Sequence, residues 1–384
     1  MTYLVLGAGM MGSAVAYDLA KASRTDQVFL ADIKQELAAR VAHSIGDNVT
    51  PMQMDVHDRD RVFPAMSGVD VVVSAVSYSV NEELARIAIE AGVHFCDLGG
   101  NNDVVERQLA MDADARARGV TILPNCGLAP GLVNILAVTG MRQFDSVDTI
   151  QLRVGGLPQH PRPPLNYEIV FSAEGLLNEY LEPAEVIEDG RIRAVESMTG
   201  LESIAFPAPF GTMEAFHTSG GISTLTRMLE GKVRNLDYKT IRYPGHCEKF
   251  RTLLDLGFAG AEPVMIGQTV KTTRELFTEL LKRKLSTGDK DLVLARATIT
   301  GNSGGRHREL VYDCVDYYDE STQITSMMRT TAFPTSITAR MLADGAITRR
   351  GVMTPEECVP GEQMIQELAK RGIRITTRVD EGQK

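Results

Sequence analysis

The beginning of the chain constrains its fold most strongly. A short apolar run, Thr2 to Leu6, leads directly into the sequence GAGMMG at positions 7–12. This GxGxxG spacing predicts a dinucleotide-binding turn between a buried strand and a helix. Gly7 permits the tight turn, Gly9 lets a pyrophosphate approach the backbone, and Gly12 lets the helix pack closely on the strand. We therefore predict a nucleotide site whose phosphates face the helix N-terminus.

The next apolar strand, Val28 to Ala31, ends in Asp32, twenty residues after Gly12. A carboxylate at this place typically accepts hydrogen bonds from the ribose hydroxyls and repels a 2′-phosphate, which favours NAD over NADP. Lys34 lies close enough to weaken this preference for NAD, so NADP stays possible. The other predicted cofactor contacts come from the helix start and from the carboxyl ends of strands, namely Met10, Met11, Asp55, Ala75, Val76 and Ser77. Asp55 is equally suited to capping the following helix.

Six strand-like segments alternate with helical segments as far as Leu123, which predicts an α/β fold with a Rossmann-type, doubly wound parallel sheet. Residues 1–124 are expected to form this domain, completed by a C-terminal segment of about 333–384. Residues 125–332 are expected to form an α+β second domain for substrate binding and oligomerisation. Its sheet is expected to be open, mixed and largely antiparallel, with strands at 239–243, 291–300 and 309–318.

Composition excludes several classes of protein. A length of 384 residues favours two domains, and the net charge of −10 suits neither a nucleic-acid binder nor a polybasic membrane-surface protein. No apolar run reaches the length of a membrane span, and the first strand leaves no room for a signal peptide. The five cysteines form no CxxC pair, and no His/Cys/Glu set has metal-ligand spacing. We expect a cytoplasmic protein without a metal.

Five blocks in this order resemble the saccharopine dehydrogenase superfamily, most closely its lysine 6-dehydrogenase branch. They are GAGMMG at 7–12, CDLGG at 96–100, CGLAPGLVN at 126–134, AFHTSGG at 215–221 and YKTIRYPGH at 238–246. The resemblance implies NAD-dependent oxidation of the side-chain amine of L-lysine. The products would be ammonia and allysine, which cyclises to a piperideine carboxylate. It also implies a homodimer or a higher homo-oligomer.

Oxidising a carbon that bears nitrogen requires a neutral amine, so a side chain must take a proton from the substrate ammonium. His217, in the AFHTSGG block, and Asp97, at the end of a strand, are the two candidates, and the sequence leaves the choice open. Arg242 is the expected anchor of the substrate carboxylate because its planar fork permits two hydrogen bonds. The other residues expected near the substrate are Tyr167, Glu168, Thr218 and Tyr243.

Two alternatives stay open. The first is a dehydrogenase or imine reductase of the saccharopine or carboxynorspermidine type, whose larger substrate would need a second anchor from Arg153, Arg162 or Arg227. The second is a nucleotide sensor that keeps the fold without turnover. The intact second-domain blocks AFHTSGG and YKTIRYPGH disfavour the sensor.

Overall fold

The computed structural model describes residues 1–267 and 269–381. The chain forms two compact units. The first consists of residues 1–143, 222–225 and 328–375, and the second of residues 144–221, 226–327 and 376–384. The first unit therefore continues past residue 124, where the sequence placed a boundary. Of the C-terminal segment assigned to the first domain, residues 382–384 lie outside the described residues.

The first unit contains an alternating series of strands and helices. The strands are β1 (Thr2–Leu6), β2 (Gln27–Asp32), β3 (Val49–Gln53), β4 (Val71–Ser74), β5 (His94–Asp97), β6 (Thr121–Leu123) and β17 (Gly351–Val352). The helices are α1 (Met10–Ala22), α2 (Gln35–Ile45), α3 (Arg59–Ser67), α4 (Asn81–Ala91), α5 (Asn102–Leu109), α6 (Asp112–Arg118), α7 (Leu132–Met141), α13 (Pro355–Cys358) and α14 (Gly361–Lys370).

The sheet of this unit has the strand order β17-β6-β5-β4-β1-β2-β3, and all of its pairs are parallel. The order reverses at β1, and in such sheets ligands bind outside the carboxyl ends of the strands beside that point. β1 and β4 are buried because both faces of a parallel sheet are covered. The predicted Rossmann-type fold is confirmed.

The second unit contains more strands than the first. They are β7 (Ser146–Pro158), β8 (Ala184–Glu188), β9 (Arg191–Val195), β10 (Glu202–Phe206), β11 (Gly211–His217), β12 (Val233–Arg242), β13 (Pro263–Ile266), β14 (Thr269–Thr272), β15 (Asp291–Ser303), β16 (Arg306–Tyr317) and β18 (Ile375–Glu381). The helices of this unit are α8 (Ala173–Leu181), α9 (Leu225–Leu229), α10 (His246–Asp255) and α11 (Thr273–Leu285). The last helix, α12 (Ser326–Ala343), belongs to the first unit from residue 328 onward.

The main sheet of the second unit has the path β10-β11-β12-β7-β15-β16-β18, with β8 and β9 attached to β12. Its described pairs are antiparallel except β7 with β12, so the predicted mixed, largely antiparallel sheet is confirmed. Of the helices in residues 1–267 and 269–381, none combines the length and apolar character needed to cross a membrane.

The pleat of β11 and β12 sorts the candidate residues onto two faces. Phe216 pairs with Thr240, and His217 pairs with Lys239. Because successive side chains of a strand point to opposite faces, Thr240 and Arg242 share one face of the sheet, whereas Lys239 and His217 share the other. This alternation determines which of the predicted site residues lie on the same face of the sheet.

Candidate nucleotide and substrate sites

The turn between β1 and α1 has the geometry of an anion-binding site. Gly7 has a φ of +97°, and its amide donates to the Ala31 carbonyl at 2.7 Å. The first backbone hydrogen bond of α1 runs from Ser13 N to Gly9 O at 2.9 Å. The amides of the first turn, including those of Met10 and Met11, therefore precede the first intrahelical bond, and no side chain caps the helix. These groups suit the phosphates of a dinucleotide.

The glycines of the turn differ in how much space surrounds them. A Cβ atom on Gly12 would lie 1.8 Å from the Gly7 carbonyl oxygen, so helix and strand are too close for any side chain there. A Cβ on Gly9 would have no atom within 4 Å. The space at Gly9 is open for a ligand, as the motif predicts for the glycine that faces the pyrophosphate.

A cleft at the carboxyl ends of β1, β2 and β4 brings together half of the predicted cofactor residues. Asp32 is already hydrogen-bonded there, because its carboxylate accepts from the amides of Ala8 at 2.8 Å and Lys34 at 2.9 Å. Asp55 is exposed and accepts from the His57 amide, a bond that lowers the pKa of Asp55. The lining comprises Gly7, Ala31, Asp32, Ile33, Met54, Asp55, Val56, His57, Val76, Ser77, Ser79 and Val80. Ala75 adjoins this cleft, since its carbonyl lies 2.8 Å from the position of a Cβ on Gly7.

Asp97 occupies a structural position. Its carboxylate is fully buried and accepts from Gln108 Nε2 at 2.7 Å, from the Gly99 amide at 2.7 Å and from the Asn125 amide at 3.4 Å. Burial raises the pKa of Asp97 to about 6 although these bonds oppose the shift. Because the oxygens already have donors, we assign Asp97 to holding the turn after β5, in place of the predicted role as base.

The second unit buries Arg242 in an aromatic cluster. The guanidinium carbon lies 4.5 Å from the centre of the Tyr167 ring and 5.8 Å from that of Tyr180. Arg242 Nε donates to the Tyr180 hydroxyl at 2.9 Å, and Nη1 donates to the Ile241 carbonyl at 2.9 Å. Among the described residues no carboxylate lies within 4.0 Å of this guanidinium, and Nη2 has no hydrogen-bond partner. An arginine that is only 2 % exposed and lacks a carboxylate is suited to bind one.

A chain of hydrogen bonds fixes the orientation of Arg242. His246 Nδ1 lies 2.9 Å from the Leu165 carbonyl, which can only accept, so Nδ1 carries the proton. Burial lowers the pKa of His246 to about 3, so its Nε2 is free to accept. The Tyr180 hydroxyl, 3.0 Å away, therefore donates to His246 and accepts from Arg242. Tyr180 and His246 were not among the predicted site residues. Neither the helix of Tyr180 nor His246, the last residue of the YKTIRYPGH block, carries a local signal of such a contact.

Replacing Tyr180 by phenylalanine is expected to lower the free energy of unfolding by about 1–3 kcal/mol. The reason is that Arg242 Nε and His246 Nε2 would both lose a buried partner. Denaturant unfolding of the variant measures the loss. Tyr317→Phe is the matched control, since Tyr317 is 43 % exposed and the change should stay within about 0.5 kcal/mol. Equal stabilities of the two variants would show that the chain of bonds contributes nothing.

His217 does not share the site of Arg242. Its ring packs over Gly200, beside Lys239, on the opposite face of the sheet. Burial lowers the pKa of His217, with the Lys239 charge adding to the effect, so the ring is neutral near neutral pH. We therefore exclude His217 from the group of residues around Arg242, because the pleat directs the two side chains apart.

The other predicted substrate residues divide in the same way. Tyr167 and Thr218 lie on the Arg242 face, and the Thr218 hydroxyl lies 2.7 Å from that of Thr240. Tyr243 lies on the opposite face, where its hydroxyl donates to the Pro158 carbonyl at 2.9 Å. Glu168 accepts from the Thr287 amide and hydroxyl and the Gly288 amide at 2.6–2.9 Å, so it stabilises that turn. Neither Tyr243 nor Glu168 is free to bind a substrate in this arrangement.

The fold and the glycine turn define a Rossmann-type nucleotide-binding protein with an α+β second unit. Residues 3–123 match the saccharopine dehydrogenase NADP binding domain, and residues 127–373 match the saccharopine dehydrogenase C-terminal domain. The chain therefore belongs to the saccharopine dehydrogenase family.

Individual relatives agree with this assignment. The chain is 22% identical to the mitochondrial alpha-aminoadipic semialdehyde synthase of Mus musculus over 98% of its own length and 47% of the relative's. It is 24% identical to saccharopine dehydrogenase [NADP(+), L-glutamate-forming] of Pyricularia oryzae over 70% of this chain and 59% of that protein. The chain thus spans about half the length of these relatives. The structure of apo saccharopine dehydrogenase (L-Glu forming) from Saccharomyces cerevisiae superimposes with a TM-score of 0.82, 19% identity and 99% coverage of both chains, which establishes the shared fold.

Proposed function

We propose that this protein is a nicotinamide-dependent oxidoreductase that acts on a C–N bond of a lysine-derived amino acid, with the side-chain amine of L-lysine as the first candidate. The observation that carries this proposal is Arg242, a buried cation without a carboxylate partner among the described residues. Membership of the family and the glycine turn support the redox chemistry. The resemblance of the second-domain blocks to the lysine 6-dehydrogenase branch supports the choice of lysine.

In this reaction a hydride leaves the carbon that bears the amine, and water hydrolyses the resulting iminium to an aldehyde and ammonia. A bound nicotinamide supplies the hydride acceptor. The residues of the first unit fit such a cofactor, because the space at Gly9 is open and the first-turn amides of α1 precede its first internal bond. Arg242 has the charge and the planar fork to hold the α-carboxylate through Nη2. Tyr180 keeps the guanidinium in one orientation.

A saccharopine-type reaction is the second candidate, and the names of the relatives favour it. Saccharopine carries more carboxylates than lysine, so it would need further anchors. The side chains considered for this role already have partners: Arg153 contacts Glu202 and Asp237, and Arg162 contacts Asp289 at 3.2 Å. Arg227 is not free either. These pairings support the smaller substrate.

The test is a turnover assay of the purified protein with NAD or NADP and a panel of L-lysine, L-ornithine, saccharopine and diamines. Absorbance of the reduced nicotinamide and release of ammonia are measured together. With L-lysine as the only carbon substrate, we expect both formation of reduced nicotinamide and release of ammonia. Turnover restricted to saccharopine would replace the first candidate by the second, and no turnover with any compound would favour a nucleotide sensor.

The preference between NAD and NADP depends on Asp32 in this proposal. Two carboxylates, Asp32 and Asp55, line the cleft, and no arginine or lysine is among its lining residues in the part of the chain that the structure describes. This charge distribution favours a cofactor without a 2′-phosphate, although the matched family domain is named for NADP. Lys34 lies next to the cleft and its side chain is exposed, so we keep NADP as a second cofactor.

Replacing Asp32 by asparagine is expected to narrow the ratio of NADP to NAD dissociation constants by about tenfold or more, because a negative charge that repels the 2′-phosphate disappears. The amides of Ala8 and Lys34 donate to different oxygens of Asp32, so asparagine, which has one oxygen, keeps one of the two hydrogen bonds while the charge is removed. Calorimetric titration with each nucleotide measures the ratio. Asp60→Asn is the control because Asp60 is exposed and lies outside the cleft. An unaltered ratio in the Asp32 variant would remove this residue from the ribose site.

A further inference from the structure

The segment that follows β3 brings a histidine to the wall of the nucleotide cleft. Strand β3 lies beside β2, with Gln53 opposite Asp32, and the Met54 amide donates to the Asp32 carbonyl at 2.9 Å. The chain then continues through Asp55 to His57, and both of these residues line the same cleft as Asp32. His57 therefore lies in the part of the cleft where Asp32 is expected to meet the ribose.

Two hydrogen bonds hold His57 against Asp55. The His57 amide donates to Asp55 Oδ1 at 3.0 Å, and the ring atom Nδ1 lies 2.9 Å from the same oxygen. These bonds lower the pKa of Asp55, and an ionised carboxylate can only accept, so Nδ1 carries a proton in the neutral ring as well. A charged ring gains its second proton at Nε2, which has no partner among the described residues.

His57 can change the charge of the cleft. Among the lining residues that the structure describes, the acidic and basic side chains are those of Asp32, Asp55 and His57. With both carboxylates ionised, a neutral imidazole leaves two negative charges in the lining, and a protonated imidazole reduces their sum to one. Imidazole is the side chain that commonly changes its charge between pH 5 and 8. A phosphate group entering this cleft is therefore repelled less strongly when His57 is protonated.

Other charged side chains of the neighbouring elements are not in a position to replace His57. On α3, Arg61 Nη2 donates to the Gln53 carbonyl at 2.8 Å, and Arg59 forms ion pairs with two glutamates of α4. Neither arginine is among the lining residues of the cleft. The remaining charged side chains close in sequence to this wall are exposed and also outside the lining, namely Lys34, Asp58 and Asp60.

We propose that His57 makes the choice between NADP and NAD depend on pH, because its protonated ring offsets the repulsion between the cleft carboxylates and the 2′-phosphate of NADP. This inference rests on the proposed function and deepens it, since it assigns a second residue to cofactor selectivity. In the neutral state of His57 the two carboxylates favour NAD. As the pH falls and His57 gains a proton, the affinity for NADP rises relative to that for NAD.

The experiment measures the dissociation constants of NAD and NADP by calorimetry on the full chain, without an amino-acid substrate, at about pH 8 and about pH 5.5. A phosphate monoester itself gains a proton near about pH 6, so the ratio of the NADP to the NAD constant falls somewhat without any histidine. Between the two pH values we expect this ratio to fall at least about tenfold in the wild type and at most about threefold in His57→Gln.

A variant with a fixed charge tests the same inference in the opposite direction. His57→Lys should have a ratio about fivefold below that of the wild type at about pH 8, and it should show only the smaller pH dependence of His57→Gln. Both variants are expected to fold, because the His57 side chain is 74 % exposed. His43→Gln is the control and should follow the wild type, since His43 lies exposed on α2 outside the cleft.

Two outcomes would overturn the inference: an equal fall of the ratio in the wild type and in His57→Gln, or a ratio in His57→Lys equal to that of the wild type at about pH 8. A wild-type protein that binds neither nucleotide would refute both the inference and the proposed function. A ratio that depends on His57 without turnover of any compound in the panel would refute only the proposed function. Turnover of L-lysine with a ratio insensitive to His57 would refute only the inference.

Discussion

Replacing Arg242 by leucine is expected to reduce kcat/KM for the amino-acid substrate by at least about thirtyfold, mainly through KM. Removing one side of a buried charged contact costs about 2–5 kcal/mol, and the lower limit corresponds to this factor. Leucine has no donor for the substrate carboxylate and leaves the Tyr180 hydroxyl without its donor. Initial rates over a range of substrate concentrations, with saturating cofactor, measure the loss.

Arg234→Leu is the matched control for this prediction. Arg234 lies on the same strand, β12, but its side chain is exposed and pairs with Asp189 at 3.1 Å. Exposed pairs contribute little, so the kinetics of this variant should stay within about twofold of wild type. Arg242→Lys should fall between the two, because lysine keeps the charge and loses the fork. An unaltered KM for the Arg242→Leu variant, with thermal unfolding showing it folded, would contradict the anchor.

Replacing Gly12 by alanine is expected to lower the free energy of unfolding by about 1–3 kcal/mol and to abolish measurable nucleotide binding. Inside an ordinary helix the same change stabilises by about 1 kcal/mol. At Gly12 the change in the free energy of unfolding has the opposite sign. The new Cβ would lie 1.8 Å from the Gly7 carbonyl oxygen, so the backbone of the turn must move. Thermal unfolding and calorimetric titration with NAD measure the two effects separately.

Gly9→Ala separates the ligand from the fold. Gly9 has extended backbone angles, φ −69° and ψ −169°, and a Cβ there would meet no atom within 4 Å. The stability should therefore remain within about 0.5 kcal/mol of wild type. Nucleotide affinity should fall by at least about tenfold because the added methyl occupies the space of the pyrophosphate. Full nucleotide affinity in the Gly9 variant would place the phosphates elsewhere.

The structure bears on the two side chains that were predicted to accept a proton from the substrate amine. The two bases expected from the sequence have other roles in the structure: Asp97 binds the turn after β5, and His217 faces away from Arg242. Glu179 of α8 is half-buried, and burial raises its pKa to about 7.

The nucleotide turn shows how much local sequence can predict. Gly7, Gly9 and Gly12 are close together in the chain, and their roles follow from steric limits within one strand, one turn and one helix. Asp32 is likewise placed by the length of a single strand-helix-strand unit. The alternation of apolar segments also indicated both sheets, because strand and helix periods are properties of short segments.

The substrate residues were predicted less well. Arg242 and Thr218 lie where strands β11 and β12 bring them together, but His217, adjacent to Thr218, points to the other face. A shift of one residue along a strand reverses the face, and only the pairing register fixes which residues are inside. Glu168 was expected near the substrate, but its three hydrogen bonds go to residues more than a hundred positions later in the chain.

The sequence by itself determined the strand-turn-helix that binds a nucleotide, the two sheets and the presence of an arginine suited to a carboxylate, since each depends on residue type and short-range spacing. The tertiary structure alone decided that Arg242 is buried without a carboxylate partner among the described residues and that Tyr180 and His246 orient it. These relations join β12, α8 and α10, which are distant in the chain. The physical reason is that burial, hydrogen-bond partners and proton affinity arise from packing between elements, and no local pattern encodes which elements meet.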